Sequence, residues 1–207
     1  MIGRLIVEGK DDKYVIEHLC QNNCVQPSFS FKIPEGFDNA RETFELSLKD
    51  VSIDRLGIVV DADTDLSSRW TSLRNILLEK GYAIPEDIEQ RGLILHDSKK
   101  IVPCVGVWIM PDNKIPGILE DFVQHLIPDD DTLRDYSLEC VKKLPEKRFK
   151  DSYRSKAEIH TWLAWQEEPG TPMGSAITKR YLSDVESAKM FLEWLNRLFN
   201  EPFLNGA

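Results

Sequence analysis

The stretch Asp54–Asp65, "DRLGIVVDADTD", decides the fold. Leu56 to Val60 is nearly all apolar, which is the signature of a strand buried on both faces, and such strands belong to parallel sheets. Its surroundings fit. "MIGRLIVE" at Met1–Glu8 reads as a short strand, and "DDKYVIEHLCQNN" at Asp11–Asn23 carries Tyr14, Val15, Leu19 and Cys20 as a helical stripe. "PSFSFKI" at Pro27–Ile33 alternates as a strand does and ends in the turn Pro34-Glu35-Gly36. "DNARETFELSLKD" at Asp38–Asp50 predicts a helix capped by Asp38 or Asn39. Downstream, "SSRWTSLRNILLEKGY" at Ser67–Tyr82 predicts a helix capped by Ser67 or Ser68 and stopped at Gly81, and "KIVPCVGVWIMPDN" at Lys100–Asn113 another apolar strand. The order β-α-β-α-β-α-β predicts an α/β fold with a mostly parallel four-stranded sheet and helices on both faces.

From Gly117 onward the pattern is helical: "GILEDFVQHLI", "DDTLRDYSLECVKKL", "SKAEIHTWLAWQ" and "DVESAKMFLEWLNRLFN". "QEEPGTPMGSAI" reads as a loop between helices, with a mobile cover over a site as the alternative. The expected organisation is an α/β core over 1–127 and a helical C-terminal extension over 128–207 packed on it. Trp162, Trp165, Phe191, Trp194 and Phe199 in that extension are read as a core stripe ahead of a partner surface.

The chain has 207 residues, 42% hydrophobic and 29% charged, enough for one sizeable core. With 26 basic and 35 acidic residues its net charge is −9, which argues against a protein that grips nucleic acid by bulk charge. A cluster of acids that gathers divalent cations would make the total negative without excluding such a substrate. No apolar run approaches the roughly 20 residues needed to cross a bilayer, and Glu8 and two aspartates arrive too early for a signal segment. The expectation is a soluble cytoplasmic protein with no membrane partner. Cys20, Cys24, Cys104 and Cys140 lack a zinc-type spacing and are read as buried structural thiols; the histidines, His96 and His160 among them, are given structural roles.

The acids at the strand ends carry the chemistry. In an open parallel sheet, functional residues gather beyond the carboxyl ends of the strands. Glu8 stands there after the first strand, and Asp61, Asp63 and Asp65 after the third. Asp61 and Asp63 are two apart, so in an extended segment both would point to one face. Two oxygen ligands on one face suit a hard cation such as Mg²⁺ or Mn²⁺, and without one the aspartates would repel. Gly9 permits a tight strand-to-helix turn and close approach of a ligand. Asp12 sits in the first helical turn, favoured there by the helix dipole, and can also turn toward the same cation. Asp11, Lys10 and Asp65 are read as ordinary exposed residues.

The V-E-G-x-x-D of Val7–Asp12, followed by the D-x-D of Asp61–Asp63 after a buried strand, resembles the Toprim domain, the catalytic module of topoisomerases, bacterial primases and OLD-type nucleases. The resemblance covers about the first 125 residues and implies a Toprim/Rossmann-like core. It further implies Glu8 as general acid/base or metal ligand, and Asp61 and Asp63 as ligands of Mg²⁺ or Mn²⁺. The likeness to OLD-type nucleases adds Asp12 and Glu120, beside Asp121, as metal-binding acids and Lys156 as a catalytic lysine. It implies phosphodiester hydrolysis or nicking of nucleic acid, DNA ahead of RNA, with one or two ions. Lys147, Arg148, Lys150 and Arg154, in the most positive region of the chain, are candidate phosphate-backbone contacts, with a solvated helix face as the plain alternative. Topoisomerase and primase readings fail for want of accessory domains, a nucleophilic tyrosine context and a zinc module.

Rival readings remain open. "VVDADTD" also looks like the D-x-D-x-T/V nucleophile motif of HAD-type phosphatases, but the fifth position is Asp65 and two strand–helix units precede it. A Ca²⁺ loop would need a glycine at Leu66 and a glutamate at Ser72. A non-catalytic binding or regulatory subunit of an ATPase partner, or a homodimer, would also fit an acidic chain with a helical tail.

Overall fold

The computed structural model of the chain describes residues 2–96, 103–183 and 186–201. The expected strand residues 100–102, helix residues 184–185 and the tail from 202 lie outside the described residues. The elements run β1 (Gly3–Val7), α1 (Lys10–Asn22), β2 (Ser30–Lys32), α2 (Phe37–Ser47), β3 (Arg55–Asp61), α3 (Leu66–Glu79), β4 (Leu93–Leu95) and β5 (Cys104–Met110). The helices α4 (Leu119–His125), α5 (Thr132–Lys142), α6 (Arg154–Leu163), α7 (Met173–Thr178) and α8 (Glu186–Phe199) follow.

The sheet has five strands rather than the expected four, in the order β2-β1-β3-β5-β4. All neighbours pair in parallel except β4, which runs antiparallel to β5 at the edge, with Leu93 opposite Val107. β4 escapes a sequence reading because it has three residues, too few to display a period. The neighbour β5 is buried along its whole length.

Side chains alternate between two apolar layers, as the strand period of two requires. Ile6, Ile58, Val60, Val107 and Ile109 face one layer, where Ala40 and Phe44 of α2 and Trp70, Leu73, Ile76 and Leu77 of α3 cover them. Leu5, Val7, Val59, Trp108 and Met110 face the other, covered by α1, α4, α6, α7 and α8. This second layer draws on both sides of residue 127: Phe191, Trp194, Leu198 and Phe199 of α8 complete the core begun by β1 and β5. Gly57 and Gly106 make room for α8. A Cβ at Gly106 would stand 2.4 Å from Leu198 Cδ2, so only hydrogen fits. The buried Arg55 guanidinium donates to the carbonyls of Leu198 and Glu201 and ties the end of α8 to the start of β3.

Several local expectations are corrected. Gly36, not Asp38 or Asn39, is the N-cap of α2, and Asp65 caps α3 by accepting the Ser68 N–H at 2.9 Å, in place of Ser67 or Ser68. The stretch read as a loop contains α7, which packs Met173, Ala176 and Ile177 into the core against α1 rather than lying over a site. Trp162, Phe191, Trp194 and Phe199 are buried as a core stripe requires, whereas Trp165 is 41% exposed. Cys20 and Cys104 are buried, but Cys24 and Cys140 are exposed thiols rather than buried ones. Among the described residues no helix is long and apolar enough to cross a membrane.

Candidate active site

Chain direction puts a crevice at the carboxyl ends of β1 and β3. β1 leads through α1 on one face of the sheet and β3 through α3 on the other. Adjacent strands whose connections leave in opposite directions open a cleft between their ends. Glu8 follows β1 and Asp61 ends β3, so both side chains arrive at that cleft. A pocket of about 360 Å³ opens there, bounded by Glu8, Asp12, Asp61, Glu120 and Lys156, with Gly9, Lys10, Asp11, Glu35, Gly36 and Leu119 completing its wall.

Three of the acids are each fixed by a backbone N–H from a different segment, and the fourth by a lysine. Glu8 Oε1 accepts the Asp61 N–H at 2.9 Å, which joins the ends of β1 and β3. Asp61 Oδ1 accepts the Leu119 N–H at 2.9 Å, which docks the first turn of α4 on β3. Asp12 Oδ2 accepts the Gly9 N–H at 3.0 Å across the first turn of α1. Asp12 is 6% exposed, and its Oδ1 has no hydrogen-bond partner. Glu120, 2% exposed, accepts from the Lys156 ammonium at 2.9 Å. Lys156 is held in reach because Asp121 Oδ1 accepts from Ser155 Oγ at 2.6 Å and Gln124 Nε2 donates to the Ser155 carbonyl at 3.1 Å, stapling α6 to α4.

Glu8, Asp12 and Asp61 resist ionisation. Burial pushes the Asp12 carboxyl up to about 7, reinforced by the charges of Glu8 and Glu120. Burial also drives Asp61 well above the usual carboxylate range, with Asp12, Glu8, Glu120 and Asp63 adding repulsion. Glu8 is raised by burial, opposed by the Asp61 N–H and by Arg69. For Lys156, burial works against the charged form, but the hydrogen bond and charge of Glu120, with Asp61 and Asp11 beyond it, outweigh burial and hold its pKa above the ordinary value. Acids raised by burial, with mutual repulsion added, are what a bound dication would relieve.

The structure brings Glu8, Gly9, Asp12, Asp61, Glu120 and Lys156 together, and it leaves Asp63 out. Asp63 has φ +52°, so the segment after Asp61 is not extended and the two aspartates do not share a face. Its N–H donates to the Gly117 carbonyl at 2.8 Å, and its half-exposed side chain pairs with Arg69, whose guanidinium lies 3.9 Å from the centre of the Phe37 ring. Gly9 is extended, with φ −142°, so no left-handed turn is needed there; a Cβ would crowd Asp12 Oδ2 at 3.1 Å. The basic segment does not line the pocket. Lys147 pairs with Asp151, Arg148 with Glu146 at 3.1 Å and Arg154 with Glu158 at 2.7 Å, while Lys150 is exposed ahead of α6.

Sequence reasoning passed over Lys10 and Asp11, read as plain surface, and Glu35 and Gly36, read as a turn. The signal available for Glu35 was its place after β2, a third acid beyond the carboxyl ends of the strands. The Gly36 N–H donates to the Glu8 carbonyl at 3.0 Å from a backbone with φ +84°, a conformation that favours glycine.

Oxygen donors from four elements, one of them orphaned, fit a hard divalent cation in chemistry and charge. Among the described residues no group of three or more His, Cys, Asp or Glu is arranged to hold a metal ion as it stands. The backbone tethers use one oxygen of each of Glu8, Asp12 and Asp61, so rotation about those tethers is what would close a ligand set.

A family model described as a protein of unknown function, DUF3226, matches residues 3–200. No curated protein matches the chain, and no solved structure does.

Proposed function

The chain belongs to the DUF3226 family, and from the pocket at the ends of β1 and β3 we propose that it is a Mg²⁺- or Mn²⁺-dependent phosphodiesterase that nicks or hydrolyses nucleic acid. One observation carries the reading: Glu8, Asp12, Asp61, Glu120 and Lys156, drawn from four separate segments, line one pocket in which Asp12 Oδ1 has no partner. The resemblance of Val7–Asp12 and Asp61–Asp63 to the Toprim pattern supports the same chemistry.

Asp61, with Glu8 and Asp12 beside it, would hold the cation, while Glu120 anchors Lys156. A divalent cation in such a site supplies an activated water and neutralises charge on the phosphate. The chain's own groups do the rest. Glu8, whose pKa burial raises from its ordinary value, accepts a proton from the attacking water, a role that a raised carboxylate pKa favours. Lys156, half-exposed at the pocket mouth and cationic, steadies negative charge on the phosphate or the leaving oxygen. The contacts for nucleic acid would be Lys150, exposed ahead of α6, with Lys147, Arg148 and Arg154 exchanging their acid partners for phosphates.

The test is cleavage of single- and double-stranded DNA and RNA by the purified protein with Mn²⁺. Glu8→Gln and Asp61→Asn are expected to abolish cleavage while circular dichroism stays native. Cleavage that survives excess EDTA, or that persists in Asp61→Asn, refutes the assignment. No cleavage under any condition would favour a non-catalytic subunit of an ATPase partner.

A further inference from the structure

We propose that the pocket takes a single divalent ion, held by Glu8, Asp12 and Asp61, and that the Lys156 ammonium occupies the place of a second ion at Glu120. The inference rests on the metal-dependent reading above and fixes the number of ions.

Three acids form one set. Glu8, Asp12 and Asp61 each give one oxygen to a backbone N–H, from Asp61, Gly9 and Leu119 respectively. The other oxygen of each plays no part in those tethers, and for Asp12 that oxygen is buried without any partner. The tethers leave a second oxygen on each of the three carboxylates; swung together about those tethers, the three would supply one face of an octahedral ion whose remaining positions are water or phosphate.

Glu120 belongs to a different set. Its buried carboxylate is paired with Lys156 at 2.9 Å. The lysine is not a passing surface contact, because Ser155–Asp121 and Gln124–Ser155 fix the turn of α6 that carries it against the helix that carries Glu120. A second dication arriving at Glu120 would meet a fixed like charge and would have to displace it. Charge balance gives the same answer. Four carboxylates carry four negative charges when ionised; one dication and one ammonium offset three of them, whereas two dications beside the ammonium would leave the pocket net positive before substrate arrives.

Isothermal titration with Mn²⁺, paired with electron paramagnetic resonance of the bound ion, reads the stoichiometry without any substrate. Wild type is expected to bind one ion with no spin coupling between manganese centres. Lys156→Met frees Glu120 and is expected to bind two, with the coupled spectrum of a manganese pair; Lys156→Arg keeps the cation and is expected to bind one. Should Lys156→Met fail to fold, Glu120→Gln serves: it is expected to bind one ion about as tightly as wild type, whereas a site with Glu120 as ligand would lose most of its affinity. Two ions in wild type, one ion in a folded Lys156→Met, or a large loss of affinity in Glu120→Gln overturns the proposal and leaves the metal-dependent reading standing. No ion bound to wild type overturns both.

Discussion

Asp12→Asn should stabilise the cation-free protein at pH 8. An acid whose pKa is higher in the folded chain than in the unfolded one favours folding in its protonated form, so its contribution is greatest below the unfolded value and declines as the pH climbs through the folded value. For Asp12 that window runs from 3.8 to about 7. At about 1.4 kcal/mol for each tenfold change in proton affinity, the carboxylate costs the folded state up to about 4 kcal/mol above the window. An asparagine keeps an oxygen for the Gly9 N–H and removes the charge, so most of that cost should be recovered. Glu8 and Asp61 are raised beside Asp12 and interact with it, so the measured window belongs to the cluster and will be broader than that of one group. Urea unfolding in EDTA checks it. The gain from Asp12→Asn should be about 2–4 kcal/mol at pH 8 and shrink toward zero by pH 4. Adding Mg²⁺ at pH 8 should then stabilise the wild type more than the variant, since a ligand stabilises only the fold that binds it. A variant less stable than wild type at pH 8, or a difference that does not vary with pH, would refute the view that Asp12 is a buried charge under repulsion.

Asp63→Asn should retain both Mn²⁺ binding and any cleavage that Asp61→Asn loses, because Asp63 faces Arg69 rather than the pocket; parallel titrations of the two variants decide it. Gly106→Ala should destabilise by about 1–3 kcal/mol through overpacking, since the new methyl would meet Leu198 and Trp194 within 3.0 Å; thermal melts read this without reference to function. Asp65→Ala should cost about 0.5–2 kcal/mol by uncapping α3, and Asp65→Ser should recover most of it, with chemical denaturation as the measurement.

The parallel core was legible because Leu56 to Val60 and the β5 run are uninterrupted apolar strands, and because helices with a clear 3.6 period separate them. Glu8 and Asp61 meet because strand ends share an edge in a parallel sheet, so their positions in the sequence already place them in space; Asp12, Glu120 and Lys156, which lie on helices, join them at positions that the resemblance to OLD-type nucleases singled out. Asp63 shows the limit of that logic. A spacing of two implies a shared face only in extended backbone, and the left-handed turn at Asp63, locked by the Gly117 carbonyl, turned its carboxylate away. β4 was hidden by its length, and α7 by the Pro and Gly residues before it, which suggested a loop although "MGSAI" packs three side chains in the core.

Burial of polar groups gives an independent measure of where the chain departs from a merely stable fold. Buried polar side chains are normally satisfied; several remote from the pocket conform, while the Trp108 indole N–H, packed among Phe191 and Trp194, is left without a partner. Asn113 accepts from the Ile109 N–H and donates to the Gln90 carbonyl, Ser137 donates to the Arg134 carbonyl, and Glu158 accepts from Arg154. Among the described residues, the buried carboxylate oxygen left without a partner is that of Asp12. It stands in the pocket beside Glu8, Asp61 and Glu120, not in an isolated corner where a packing defect would be the simpler account. An asparagine would keep the Gly9 N–H bond at the start of α1 without the buried charge, so the acid carries a cost that the proposed cation would offset. The same reasoning separates Asp12 from Asp65, another acid at the start of a helix: Asp65 is exposed, accepts an N–H from its own helix, and is fully accounted for as a cap.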